Sequence, residues 1–158
     1  MPQLTLTLHA SGDVWEDALV CGDRAPNVVL CGQEGRPVSL GDLWARGPLI
    51  LIFHPGAGCG YCMRQLRKWT LVQEELLQLG ASVAVACLQD GGSPIAAVAE
   101  SSGALILRDT TLRAACGFGI AVPLPADLAR VYASVGIGAL PPEAGERGIF
   151  PTAATYVI

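Results

Sequence analysis

Leu49-Ile50-Leu51-Ile52-Phe53 is an unbroken apolar run of strand length, introduced by Pro48 and lacking a polar face. Such a run fits a strand covered on both sides, as at the centre of an α/β sheet. Beyond Cys62 the period changes. Leu66, Trp69, Val72, Leu76 and Leu79 recur at spacings of three and four, with Arg64, Arg67, Lys68, Glu74 and Glu75 on other faces. The pattern predicts one amphipathic helix of about four to five turns, ended by Gly80. Ser82 to Leu88 reads as a second buried strand and Asp90-Gly91-Gly92 as a loop. Ser93-Pro94 reads as an N-cap followed by the first position of a short helix to about Ser101. Ala104 to Leu107 is strand-like, and Asp109 is placed to cap a helix running to Gly117.

Upstream, Asn27 to Leu30 and Val38 to Leu40 are short β-prone runs flanking Gln33-Glu34-Gly35-Arg36, which predicts a hairpin. Residues 1–20 hold an alternating stretch, Leu4 to Leu8, and read as an N-terminal arm or extra edge strand. Downstream, Pro123 to Pro142 forms an insertion with a helical piece from Ala126 to Ser134 and a Gly/Pro-rich loop. Ala153 to Ile158 reads as a strand. Strands alternating with helices predict an α/β fold, a sheet with helices on its faces.

Length and composition narrow this to one domain. At 158 residues the chain suits a single core, and 51% hydrophobic against 15% charged residues argues for folding rather than disorder. The net charge is −4 and the positive residues are scattered, so no basic stripe offers itself to nucleic acid. Met1 to Ala10 lacks the pattern of a secretory signal, and no apolar stretch approaches the ~18 residues of a membrane helix. The expectation is a cytoplasmic protein without nucleic-acid or membrane partners. Of six cysteines, Cys21, Cys31, Cys87 and Cys116 stand alone and are expected to act as small buried hydrophobes.

Cys59 and Cys62 are different. They lie where a buried strand gives way to the N-terminus of a long helix, and the helix dipole stabilises negative charge there. A thiolate is the nucleophilic form of cysteine, and that position lowers a thiol pKa. Two intervening residues allow a small disulfide, and hence reversible two-electron exchange. Zinc half-sites share the spacing, but zinc needs two further ligands. The sequence offers only His9, His54 and isolated cysteines for them, so no metal is expected. His54 precedes the pair on the strand side, and the bland reading of it, a strand-end residue without catalytic role, is preferred. Gly56, Gly58 and Gly60 are spaced for a loop rather than a nucleotide fingerprint, so no bound cofactor is expected.

Strand, loop, Cys59-Gly60-Tyr61-Cys62 and amphipathic helix together resemble the active-site segment of the thioredoxin superfamily. Arg147-Gly148-Ile149-Phe150-Pro151-Thr152 resembles that superfamily's cis-proline segment, which implies that Pro151 faces the cysteines and shapes a substrate groove. Gly22-Asp23-Arg24-Ala25-Pro26, the hairpin after it and Leu107-Arg108-Asp109 are similar to the peroxiredoxin-like alkyl hydroperoxide reductase/thiol-specific antioxidant group. In that group's Pro-x-x-x-Thr/Ser-x-x-Cys frame, Pro55 matches the proline, Cys59 takes the hydroxyl position and Cys62 the peroxidatic position. The group's arginine has its nearest counterpart in Arg147, two residues too far from the strand. The likeness spans roughly residues 22 to 158 and is weak in the 123–146 insertion.

The resemblance implies a thioredoxin-like three-layer fold over residues 21–158, with a central mixed sheet and an N-terminal hairpin, shortened after its penultimate strand. It implies a thiol-dependent oxidoreductase with catalytic Cys59 and Cys62, supported by Pro55, Gly60, Tyr61, Pro151, Thr152 and Arg147. Peroxide reduction by Cys62 with Cys59 resolving is the first reading. A thioredoxin-type disulfide reductase or oxidase, with Cys59 attacking and Cys62 releasing, is the alternative. A non-catalytic binding module on the same scaffold is a third. A thiol donor such as a thioredoxin or glutathione system is implied, and the sequence leaves room for a homodimer.

Overall fold

The computed structural model describes residues 5–7, 17–55, 59–88, 94–123, 127, 130, 131, 134 and 149–158. Its centre is the apolar run: β4 (Leu49–His54) is buried at every position. β4 pairs in parallel with β5 (Ser82–Cys87), and β5 with β6 (Leu105–Arg108). β9 (Ala154–Val157) runs antiparallel to the other side of β4, with Phe53 opposite Ala154. The N-terminal strand β1 (Thr5–Thr7) pairs antiparallel with β9 and forms one edge. The hairpin β2 (Val29–Cys31) and β3 (Pro37–Ser39) forms the other, joined to β6 through Cys31 and Arg108. Pro37, which has no N–H to give, sits on an edge strand where none is needed. The described order is β1-β9-β4-β5-β6-β2-β3, a mixed sheet, as the resemblance implied.

Alternation along β4 divides the core into two layers. Leu49, Leu51 and Phe53 face a cluster that includes Leu40 of α1 (Leu40–Trp44) and Ala114 and Ala115 of α5 (Arg113–Gly117). Ile50 and Ile52 face the opposite cluster. It contains Leu66 of α2 (Gly60–Leu71), and Ile95 and Ala99 of α4 (Pro94–Ser101). In the first layer Phe53, Phe118 and Tyr156 pack with ring centroids 4.7–5.9 Å apart, and the buried Tyr156 hydroxyl donates to the Phe118 carbonyl at 3.3 Å.

Three expectations need correction. The long helix after Cys62 is two helices, α2 and α3 (Gln73–Gln78), parted at Val72. The Thr70 hydroxyl donates to the Arg67 carbonyl at 2.6 Å, and Val72 N–H reaches only back to Trp69. Such side-chain competition for a helix carbonyl bends or breaks the ladder. Gly80 does end the second helix: at φ +70 it lets Ala81 N–H reach Leu76 O and its own N–H reach Leu77 O. No strand is expected from the sequence at either end of the 123–146 insertion, yet β7 (Ala121–Pro123) before it pairs with β8 (Ile149–Pro151) after it in a separate two-stranded sheet. Of the helical piece from Ala126 to Ser134, Asp127, Arg130, Val131 and Ser134 are described, and they are helical. The isolated cysteines also differ from expectation, for only Cys87 is buried. Cys31 is half-buried on the outer hairpin, while Cys21 lies in a turn and Cys116 on the outward side of α5, both exposed.

Candidate active site

β4 delivers the chain to Pro55, which is buried, and α2 begins at Gly60. Between them Cys59 occupies the N-cap of α2. Its Sγ accepts the backbone N–H of Cys62 at 3.2 Å, and its carbonyl accepts that of Met63 at 3.0 Å. Cys59 and Cys62 are joined as a disulfide, with Cα atoms 5.3 Å apart. Cys59 is half-buried; Cys62 is 4% exposed and turned toward the Leu66 side of the helix. No acidic residue lies in the first turn of α2, so the positive end of its dipole is unopposed by its own side chains there. Reduction of this pair releases sulfur where an anion is favoured.

Behind the pair, the strand ends gather a polar cluster. His54, 1% exposed, lies opposite Cys87 in the β4–β5 register. His54, Cys87, Asp109 and Pro151 help to line a cavity of about 10 Å³, room for no more than one water. Burial holds the His54 imidazole down at about 4, so it is neutral at physiological pH and adds no positive charge behind the cysteines. Asp109 is buried and accepts N–H groups from Ala114 at 3.1 Å and Ala115 at 2.8 Å, capping α5 as expected. Desolvation nevertheless raises its carboxyl pKa, against the lowering effect of these bonds and of Arg113.

On the outer side of α2 lies an open groove of about 610 Å³. Tyr61, Arg64, Lys68 and Trp69 of α2 line it, with Thr155 and Val157 of β9 opposite. The Gln65 amide spans its width, donating to Thr155 Oγ1 at 3.4 Å. Trp69, read from its periodicity as a core residue, packs against the second core layer and also forms a wall of this groove. The sequence reading missed the groove itself. Its signal was present in Tyr61, Arg64 and Lys68, spaced three and four apart on one flank of α2.

The remaining expected site residues divide as follows. Tyr61 is 63% exposed at the head of the groove, and Gly60 opens α2 with clear space where a Cβ would stand. Pro151 ends β8 opposite Ala121 and borders the His54 cavity. Its peptide bond is trans, contrary to the cis form the resemblance implied; its residue pairs in register with extended β7. Thr152 commits both its N–H and its hydroxyl to the Ile120 carbonyl, each at 3.0 Å. Arg147 lies outside the described residues. Among the described residues no group of three or more His, Cys, Asp or Glu side chains is arranged to hold a metal ion.

A family model described as Redoxin matches residues 21–136 of the chain. None of the curated proteins matches. Among solved structures, the fold is similar to the peroxidoxin BcpB from Mycobacterium tuberculosis, 22% identical, with a TM-score of 0.62 over 86% of this chain and 76% of that one. A mutant PrxQ from Xylella fastidiosa is 12% identical, with a TM-score of 0.60 over 95% of this chain and 80% of that one. A mutant peroxiredoxin 6 from Arenicola marina is 13% identical, with a TM-score of 0.59 over 94% of this chain and 60% of that one. At these identities the likeness is one of fold.

Proposed function

The chain belongs to the redoxin family of thiol-dependent oxidoreductases, and from that premise we propose that it reduces peroxides by cycling Cys59 and Cys62 between dithiol and disulfide. The observation that carries this reading is the disulfide itself, closed across the first turn of α2.

In the cycle, the Cys62 thiolate attacks the terminal peroxide oxygen. The O–O bond breaks, the alcohol or water leaves with a proton, and Cys62 becomes a sulfenic acid. The Cys59 sulfur then attacks Cys62, the S–O bond breaks and water departs, leaving the disulfide. Two electrons have passed from the two thiols to the peroxide. A thiol donor, of thioredoxin or glutathione type, returns them. No helix among the described residues is long and apolar enough to cross a membrane. One equivalent of hydrogen peroxide added to the reduced protein is expected to remove two thiols and yield a Cys59–Cys62 peptide. Cys59→Ser is expected to accumulate a dimedone-reactive sulfenic acid at Cys62. Absence of that adduct overturns the assignment.

One observation favours a second reading. Cys59 is more accessible than Cys62, which suits attack by Cys59 on a partner's disulfide with Cys62 as the releasing thiol. That is the chemistry of a protein disulfide reductase, and it exchanges the roles of the same two residues.

A further inference from the structure

We propose that the groove between α2 and β9 is a binding site for an aliphatic monocarboxylate of medium chain length. Its carboxylate lies beside Arg64, and its hydrocarbon tail points away from the cysteines. The site takes no part in the thiol chemistry and requires no ligand atom at either sulfur.

The direction of the groove follows from topology. α2 lies back over Ile50 and Ile52 of the strand that leads into it, and β9 runs antiparallel to that strand. α2 and β9 therefore run the same way along the two sides of the groove, and their residues fall into levels. The first level is polar: the Gln65 amide donates to Thr155 Oγ1 at 3.4 Å, with Arg64 adjacent on the helix. One step further, Trp69 stands about 6 Å along the helix from Gln65. Val157 stands about 7 Å along the strand from Thr155, at the same level. Val72 lines the far end.

Three features select the ligand. The volume of about 610 Å³ lies in the range of small-molecule sites, roughly 300–1,000 Å³. The charge is one-sided: Arg64 and Lys68 are exposed one helical turn apart, no described carboxylate lines the groove, and neither cation forms an ion pair with a described residue. The Thr155 hydroxyl, in a residue 5% exposed, accepts from Gln65 while its own O–H donates to no described residue. A carboxylate at this level meets two cations and one hydroxyl donor. A tail leaving it covers Trp69, Val157 and Val72. A polyanion would leave that apolar half uncovered, and an uncharged lipid would leave both cations unmet. From Gln65 to Val72 is about 10 Å along the axis, the extent of a chain of about eight carbons.

Octanoate is the probe, titrated into the oxidised protein and followed by calorimetry and methyl NMR. Saturable one-to-one binding is expected, with the Thr155 and Val157 methyl resonances shifting. Affinity is expected to rise about twofold or more per methylene from butyrate to octanoate, since the open groove covers part of each. The Arg64→Gln, Lys68→Gln double variant, altered only at exposed positions, is expected to bind octanoate about tenfold more weakly. Failure to saturate, an affinity indifferent to chain length, or one unchanged in the double variant overturns the site. So does octanoate that shifts the exposed Leu71 and Leu79 in place of Thr155 and Val157. Peroxide turnover is not read, so failure of the redox reading would leave this test intact.

Discussion

The backbone N–H of Cys62 points at the Sγ of Cys59, 3.2 Å away, so the sulfur that closes the disulfide also caps the helix that carries it. Redox state and helix start therefore share one atom. In the reduced protein Cys59→Ala is expected to lose about 1 kcal/mol relative to Cys59→Ser, because serine keeps an acceptor at the N-cap and alanine does not. Urea denaturation of both variants in the presence of reductant checks this.

His54 supplies a pH dependence with a definite sign. Its folded pKa of about 4 lies below the ordinary value of 6.5, so the unfolded chain takes up the proton first as pH falls. Its contribution to stability is full above 6.5 and is lost progressively toward pH 4, by about 3 kcal/mol at ~1.4 kcal/mol per pKa unit. Asp109 works in the opposite sense. Its raised carboxyl pKa makes the folded state the better proton binder, so its contribution declines as pH climbs above the ordinary Asp range. The difference between wild type and His54→Gln isolates the histidine. Chemical denaturation at pH 7 and pH 4.5 is expected to show a steeper loss in wild type than in the variant.

The same Asp109 holds the turn into α5, where Leu112 takes a left-handed φ of 57° with its side chain buried. That backbone conformation is unfavourable for leucine and is retained because Asp109 accepts from Ala114 and Ala115. Asp109→Ala is expected to cost about 2 kcal/mol by leaving those N–H groups unmet, measured as a lower urea midpoint at neutral pH.

Tyr156→Phe tests the same core layer from the sheet side. The ring contacts with Phe53 and Phe118 survive the change, while the bond to the Phe118 carbonyl is lost. Burial pushes the phenol up to about 12, so the hydroxyl stays protonated and donating across the working range. A loss of about 1 kcal/mol is expected, independent of pH between 6 and 9, as judged by equilibrium unfolding.

What was legible in the sequence follows from how strongly each segment constrains itself. The all-apolar run of β4 allowed only a central strand, and the turn at Gln33 to Gly35 brought its flanks together as β2 and β3. The cysteine pair at the strand–helix junction was visible because position in the chain alone places it at a helix N-terminus. Other features depend on contacts that no periodicity records. The break at Val72 turns on one hydroxyl of Thr70, and the β7–β8 sheet joins segments far apart in sequence. Trp69 satisfies the apolar stripe, and that periodicity points to the core. Its second role appears only when β9 lies beside α2 and leaves a groove between them.

The central claim is that Cys62 attacks peroxide and Cys59 resolves it. Stopped-flow mixing of the reduced protein with hydrogen peroxide, following thiol loss in wild type, Cys59→Ser and Cys62→Ser, tests it most directly. The account predicts a reaction far faster than that of a free thiol in wild type and Cys59→Ser, and its disappearance in Cys62→Ser alone. Slow reaction in all three proteins, with reduction of a protein disulfide abolished by Cys59→Ser, would contradict it and make the protein a disulfide reductase.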